Sequence, residues 1–192
     1  MSWRLVIVLC CLTLPLWGAE KNLRYQVDPK ASHVQFSAKA PLETVIGKTQ
    51  QVTGEVTLAG GRLSGAKASF VVDVASIKTG NRLRDKDMRK KFMETDQYPQ
   101  IRFSLDKILS GAFQILPGKP VELTVAGTWE MHGVARTEIF PVTVQVEGAN
   151  KQMTLHSVFT LRLSDYQIER PQFLWMRLSE TADVTVYLVL HP

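Results

Sequence analysis

The chain has two cysteines, and both fall within its first eleven residues, at Cys10 and Cys11. The remainder therefore has no disulfide, no thiolate metal site and no cysteine nucleophile. Histidine is sparse as well: His33, His132, His156 and His191 are the four present. No two of them stand at the helical spacing of a metal-binding pair, so surface or rim positions are expected for all four. Ser76, Ser104 and Ser164 lack the flanking glycines of a nucleophile elbow. Gly47-Lys48-Thr49 matches the end of a phosphate-binding loop, but Leu42 stands where that loop needs its first glycine. Asp85 and Asp87 are close in sequence, yet side chains two apart on a helix point in different directions and make a poor acid/base pair. With no nucleophile, metal set or nucleotide loop, neither enzyme activity nor a cofactor is expected.

Long apolar runs are nearly absent too. The one present, residues 5–14, follows Arg4 and precedes Pro15 and a small-residue stretch ending at Ala19. It is short for a membrane span, which needs about 20 residues, and has the layout of a secretory signal peptide. Residues 1–19 are read as that peptide, with cleavage after Gly18 or Ala19. Residues 20–192 are read as one exported, periplasmic domain. Neither Leu9 nor Cys10 is the small residue that should precede a lipid-modified cysteine, so no lipid anchor is expected. The formal net charge of +5 owes much to residues 82–91. There Arg82, Arg84, Lys86, Arg89, Lys90 and Lys91 meet only Asp85 and Asp87. Such a run is either a solvated helix face or a surface for an anionic head group or membrane. Nucleic acid is not an expected partner of an exported protein.

What the chain does have is alternation with period two, the mark of strands with one apolar and one wet face. It runs through residues 23–28, 32–40, 52–59, 66–74, 101–105, 121–131, 134–147, 153–163 and 182–190, with a bend expected near Pro141. Phe36, Phe70, Phe103, Trp129 and Phe159 fall on the apolar faces. The exception is residues 81–94, after the turn signal Thr79-Gly80-Asn81. There Leu83, Met88, Phe92 and Met93 suggest the inward stripe of a short amphipathic helix, ended by Tyr98-Pro99. One helix cannot cover so many strands, which leaves a sandwich or a closed barrel. The expected fold is mainly β: a single antiparallel eight-stranded barrel with the helix across its mouth or side. Eight strands enclose an interior that side chains fill or that holds one small ligand. Alternation alone serves a solid core and a cavity equally. A cavity with these walls would select a long hydrocarbon chain.

Three stretches taken together resemble the YceI-like family of exported lipid-binding proteins with a lipocalin-like barrel. They are YQVDPKASHVQF from Tyr25, TGNRLRDKDM with the later YPQIRF, and MHGVARTEIFPV with the later LSDYQIERPQFL. The resemblance spans most of residues 25–190, and the second stretch is its most specific part. Two departures stand out. Asp87 holds a place that the family commonly gives to histidine, and His33 is followed by Val34 where the family often has serine. The resemblance implies a carrier that holds an isoprenoid, polyprenyl or quinone-like, or another long-chain lipid, inside the barrel. It makes Phe36, Phe70, Phe103, Trp129 and Phe159 candidate chain contacts. His33, Arg84 and Asp85 become candidates for the mouth or for locking the helix, and Asp87 for setting head-group preference. Tyr166, Phe173 and Trp175, in the loop before the last strand, are candidates to cover the cavity. It also implies an alternative, an interaction or stress module that meets a membrane cytochrome partner through its basic helix. A second copy of the chain is a further partner to consider.

Overall fold

The computed structural model describes residues 22–148, 151–173 and 176–192. Residues 1–19, expected from the sequence to be a signal peptide, and Trp175 lie outside the described residues. Twelve strands are present among them: β1 (Leu23–Val27), β2 (His33–Lys39), β3 (Thr44–Thr49), β4 (Val52–Ala59), β5 (Arg62–Asp73), β6 (Gln100–Gly111), β7 (Val121–Met131), β8 (Val134–Val146), β9 (Met153–Arg162), β10 (Gln172–Phe173), β11 (Met176–Arg177) and β12 (Thr181–His191). Eight of them close an antiparallel ring in the order β1-β4-β5-β6-β7-β8-β9-β12, with β12 returning to β1. Alternating burial runs along them; in β6, Ile101, Phe103 and Leu105 turn inward between exposed neighbours.

Closure depends on β12. One edge pairs with β9 over its whole length. The other edge is shared: Leu190 and His191 face Val27 and Gln26 of β1, while Asp183 to Tyr187 face Ser37 to His33 of β2. The break between β1 and β2 falls at Asp28-Pro29, where proline cannot donate to a ladder. β3 pairs with β2, and its backbone link to the segment after β5 is an isolated bridge from Lys48 to Lys78. The β2–β3 hairpin therefore raises the wall at one end and leaves an incomplete seam between β3 and β5. β3 is a strand that the alternation reading omits. Val45, Gly47 and Thr49 turn inward and Ile46 and Lys48 outward, so the Gly-Lys-Thr run is wall and not loop. Pro141 sits inside β8 where its pairing with β9 stops, since that ladder begins only at Thr143.

The helical segment lies at the seam end, the mouth. α1 (Arg82–Asp87) continues into a π turn, Met88–Phe92. Asn81 caps it by accepting from the Leu83 and Arg84 amides at 3.0 and 3.1 Å, satisfying donors that a helix start leaves free. One expectation is corrected: Leu83 points outward and is 55% exposed. Five residues separate it from Met88, about 140° around a helix of 3.6 residues per turn, so the two cannot share a stripe. Met88, Phe92 and Met93 do share one, because the π turn (Met93 N to Met88 O, 2.8 Å) aligns residues four and five apart.

Three inward glycines shape the interior. A β-carbon on Gly47 would stand 2.1 Å from the Phe36 ring, one on Gly54 2.6 Å from the Phe70 ring, and one on Gly127 2.1 Å from the Phe103 ring. Each ring covers the bare backbone of a neighbouring strand. Phe103 is hemmed in by Phe70, Trp129 and Phe140, with centroids at 6.1, 5.2 and 5.6 Å, so it cannot swing aside unless those rings turn with it. Gly127→Ala is expected to destabilise the barrel by about 1–3 kcal/mol, the usual cost of overpacking. The midpoint of urea unfolding measures it.

Candidate binding cavity

The barrel interior is neither solid nor one wide tube. An inner cavity of about 100 Å³ lies toward the end away from the helical segment, walled by side chains such as Val56, Leu63, Ile108, Val125 and Val144. An outer cavity of about 190 Å³ lies toward the mouth under the helical segment, walled by Phe36, Met88, Phe92, Met93, Leu161 and Ile168 among others. Val34, Val72, Ile101 and Trp129 line both. At their junction is a cluster of five rings. Trp129 lies 5.2 Å from Phe103 and 5.3 Å from Phe159, and Phe140 lies 4.6 Å from Phe159. Phe70, Phe103 and Phe159 line the inner cavity and Phe36 the outer. Phe140 is a fifth member that the sequence reading missed. It shares an inward register with Val142, Val144 and Val146, a period-two signal interrupted to the eye by Pro141.

The polar candidates separate. Asp85 is buried and accepts from the Thr79 amide at 2.8 Å and the Thr79 hydroxyl at 2.6 Å. Arg84 donates to Thr79 Oγ1 at 3.0 Å and the Thr79 carbonyl at 3.2 Å, and its outer nitrogen reaches Glu43 Oε1 at 2.9 Å. The pair thus holds the turn ahead of α1 and, through Glu43, bolts the helix to the β2–β3 hairpin across the incomplete seam. Arg84 and Asp87 also line the outer cavity, and Asp87 pairs with Lys91 at 3.1 Å.

His33 is placed elsewhere. It sits on the outer wall against Tyr187, with ring centroids 5.5 Å apart, away from the helix it was considered to lock. Partial burial lowers its pKa, with Lys48 and His156 acting in the same direction. His132 does what was considered for His33. It occupies the β7–β8 turn at φ 52°. Its Nδ1 donates to the Tyr166 carbonyl at 3.2 Å, its Nε2 lies 3.0 Å from Glu94 Oε2, and Tyr98 packs on its ring at 4.6 Å. Turn, helix end and the 163–166 segment meet there. Tyr166 is fully buried and donates to Glu138 Oε1 at 3.0 Å. It pins the segment preceding the mouth loop, while Leu163 and Ile168 on either side of it line the outer cavity. Phe173 is in β10, which pairs with β11 in a two-stranded ribbon. Among the described residues, no three histidine, cysteine or carboxylate side chains gather as a metal site would require. Nor, among the described residues, is any helix long and apolar enough to cross a membrane.

A closed antiparallel barrel with an apolar, divided interior and a helix across one end defines a lipocalin-like binding fold. The profile of the YceI-like domain matches residues 25–190, and the chain belongs to the YceI-like family. It is 26% identical over 140 residues to a UPF0312 protein of Vibrio parahaemolyticus, covering 71% of this chain and 67% of that one. Among solved structures, BcnA of Burkholderia cenocepacia superposes with a TM-score of 0.70 at 22% identity, covering 85% of this chain and 98% of that one. A polyisoprenoid-binding domain from Saccharophagus degradans, implicated in plant cell wall breakdown, also gives 0.70, at 19% identity and 87% and 97% coverage. At these identities the structural likeness establishes the fold.

Burial, followed by the bond to Glu138, pushes the Tyr166 hydroxyl well above the ordinary tyrosine range. A raised pKa means that the folded state holds this proton more tightly than the unfolded state. The associated stability is complete below about pH 10, the unperturbed value, and declines as pH rises above it. Chemical denaturation across pH 9 to 11 should show that decline, and Tyr166→Phe should make it shallower. Tyr25, also raised by burial, acts in the same direction.

Proposed function

We propose that the protein is a carrier that holds a long isoprenoid or other long hydrocarbon chain inside the barrel, working in the periplasm after export. The observation that carries this reading is the pair of adjoining apolar cavities that meet at Trp129 along the barrel axis. Each buried methylene contributes roughly 0.8 kcal/mol, so a long chain needs no charged anchor. Each cavity is smaller than the roughly 300 Å³ of a small ligand site. They mark a route, and a long chain fills it by turning the rings between them and repacking the pliable Met88 and Met93. The polyisoprenoid-binding description of the Saccharophagus relative supports an isoprenoid occupant. The apolar run at residues 5–14 supports export. A binding role, not catalysis, accords with the family and with a site whose polar groups are engaged in holding structure.

The experiment is organic extraction of the purified protein followed by mass spectrometry. Wild type is expected to yield a long-chain lipid, and Trp129→Arg or Phe103→Asp to yield none while remaining folded by circular dichroism. Equal lipid in wild type and both variants would refute the carrier reading.

The alternative, a module that meets a membrane partner through its basic helix, is favoured by one observation. Leu42 at the β2–β3 tip and Leu83 on α1 are 75% and 55% exposed, and the Glu43–Arg84 ion pair brings their elements together. Arg82 and Lys86 stand exposed beside them. This is the composition of a surface that rests on an anionic bilayer, where each basic residue contributes about 1 kcal/mol. The two readings combine if the mouth opens onto the membrane. Joint Leu42→Asp and Leu83→Asp substitution should then slow lipid transfer to vesicles containing phosphatidylglycerol several-fold, without changing the lipid retained in solution. An unchanged transfer rate would exclude the docking surface.

A further inference from the structure

Trp129 Nε1 is the one buried side-chain nitrogen or oxygen without a hydrogen-bond partner among the described residues. The residue is only 9% exposed and lines both cavities. The rings around it are tilted: Phe103 and Phe159 by 48° and Phe140 by 59°. None supplies an oxygen acceptor, and an N–H directed at a ring face recovers only part of a hydrogen bond. A buried donor left unmade is costly, and native structures rarely keep one without a reason. A phenylalanine here would fill much the same apolar space without that cost.

We propose that the bound lipid carries a neutral carbonyl oxygen that accepts from Trp129 Nε1 at the junction of the two cavities. This rests on the carrier reading and narrows its ligand class from hydrocarbon chains in general to carbonyl-bearing ones: esters, amides, ketones or quinones. The surroundings select the carbonyl. A carboxylate would be buried beside Phe103, Phe140 and Phe159 at a large desolvation cost, and Arg84 is the one lysine or arginine among the described residues that line the two cavities. Arg84, the cation of the outer cavity, is already held by Thr79 and Glu43. A hydroxyl would bring an O–H of its own into apolar walls. A carbonyl brings only the acceptor that the indole lacks.

The test offers delipidated protein an equimolar mixture of 10-nonadecanone and nonadecane, removes free lipid, and quantifies the retained pair by gas chromatography–mass spectrometry. Wild type should retain the ketone about tenfold over the alkane, the ratio of one added buried hydrogen bond. Trp129→Phe, which keeps a ring but lacks the donor, should retain both equally. In wild type, the Trp129 indole N–H resonance should move on loading with ketone and stay in place with alkane, a readout independent of how well the variant folds. An equal ratio in wild type, a preference that persists in Trp129→Phe, or an unmoved indole resonance would overturn the proposal while leaving the carrier reading intact. Retention of neither compound would overturn both.

Discussion

Phe36, Phe70 and Phe103 can lie along the barrel wall because Gly47, Gly54 and Gly127 present no β-carbon beneath them. That steric allowance governs the interior. An eight-stranded barrel has room for little beyond its own side chains. If the large rings stood straight into the lumen, they would meet at the axis and seal it. Resting over glycines, they leave space at both ends of a central cluster, and Trp129 is left between two cavities. The glycines are a local liability, since a strand interior loses packing and gains chain entropy at each. Burial of the rings that cover them offsets part of that loss.

The mouth follows a different logic, in which polar groups build structure. β3 has no ladder to β5 beyond the Lys48–Lys78 bridge. Other contacts close the seam: Thr49 Oγ1 and Ser76 Oγ are hydrogen-bonded at 2.6 Å, and Arg84 spans from Thr79 to Glu43. His132 fastens the far end of the helical segment to the β7–β8 turn and the 163–166 segment. Between these two fastenings lie Met88, Phe92 and Met93, which face the outer cavity. A lid held at both ends by a few directional bonds, with an apolar and pliable underside, is what the proposed carrier needs to admit a chain without unravelling the ring. Asp87 sits on that underside and pairs with Lys91.

Much of this was legible beforehand. Alternation placed most strands, and the turn and charge pattern placed the helix. The aromatic residues on apolar faces are the ones at the cavity walls. The errors have identifiable sources. β3 was overlooked because glycine and lysine dilute its pattern and because Ile46, apolar, faces out. Phe140 was overlooked because Pro141 interrupts the run that would have revealed it. Leu83 was assigned inward by a rough helical spacing, although its angular distance from Met88 excludes a shared face. His33 and His132 exchanged roles: a turn histidine reads as surface until the segments that fold over it are known.

The sequence by itself determined most of the strands and which face of each is apolar, because these depend on spacing along one chain, while the family was legible through the resemblance of three stretches and not through spacing. Only the tertiary structure decided whether the interior is filled, because that depends on which glycine lies under which ring across neighbouring strands. It also decided that Trp129 has no partner for its N–H and that His132 is the clasp. Hydrogen-bond satisfaction is a property of what surrounds a group in space, and residues far apart in sequence supply or withhold it.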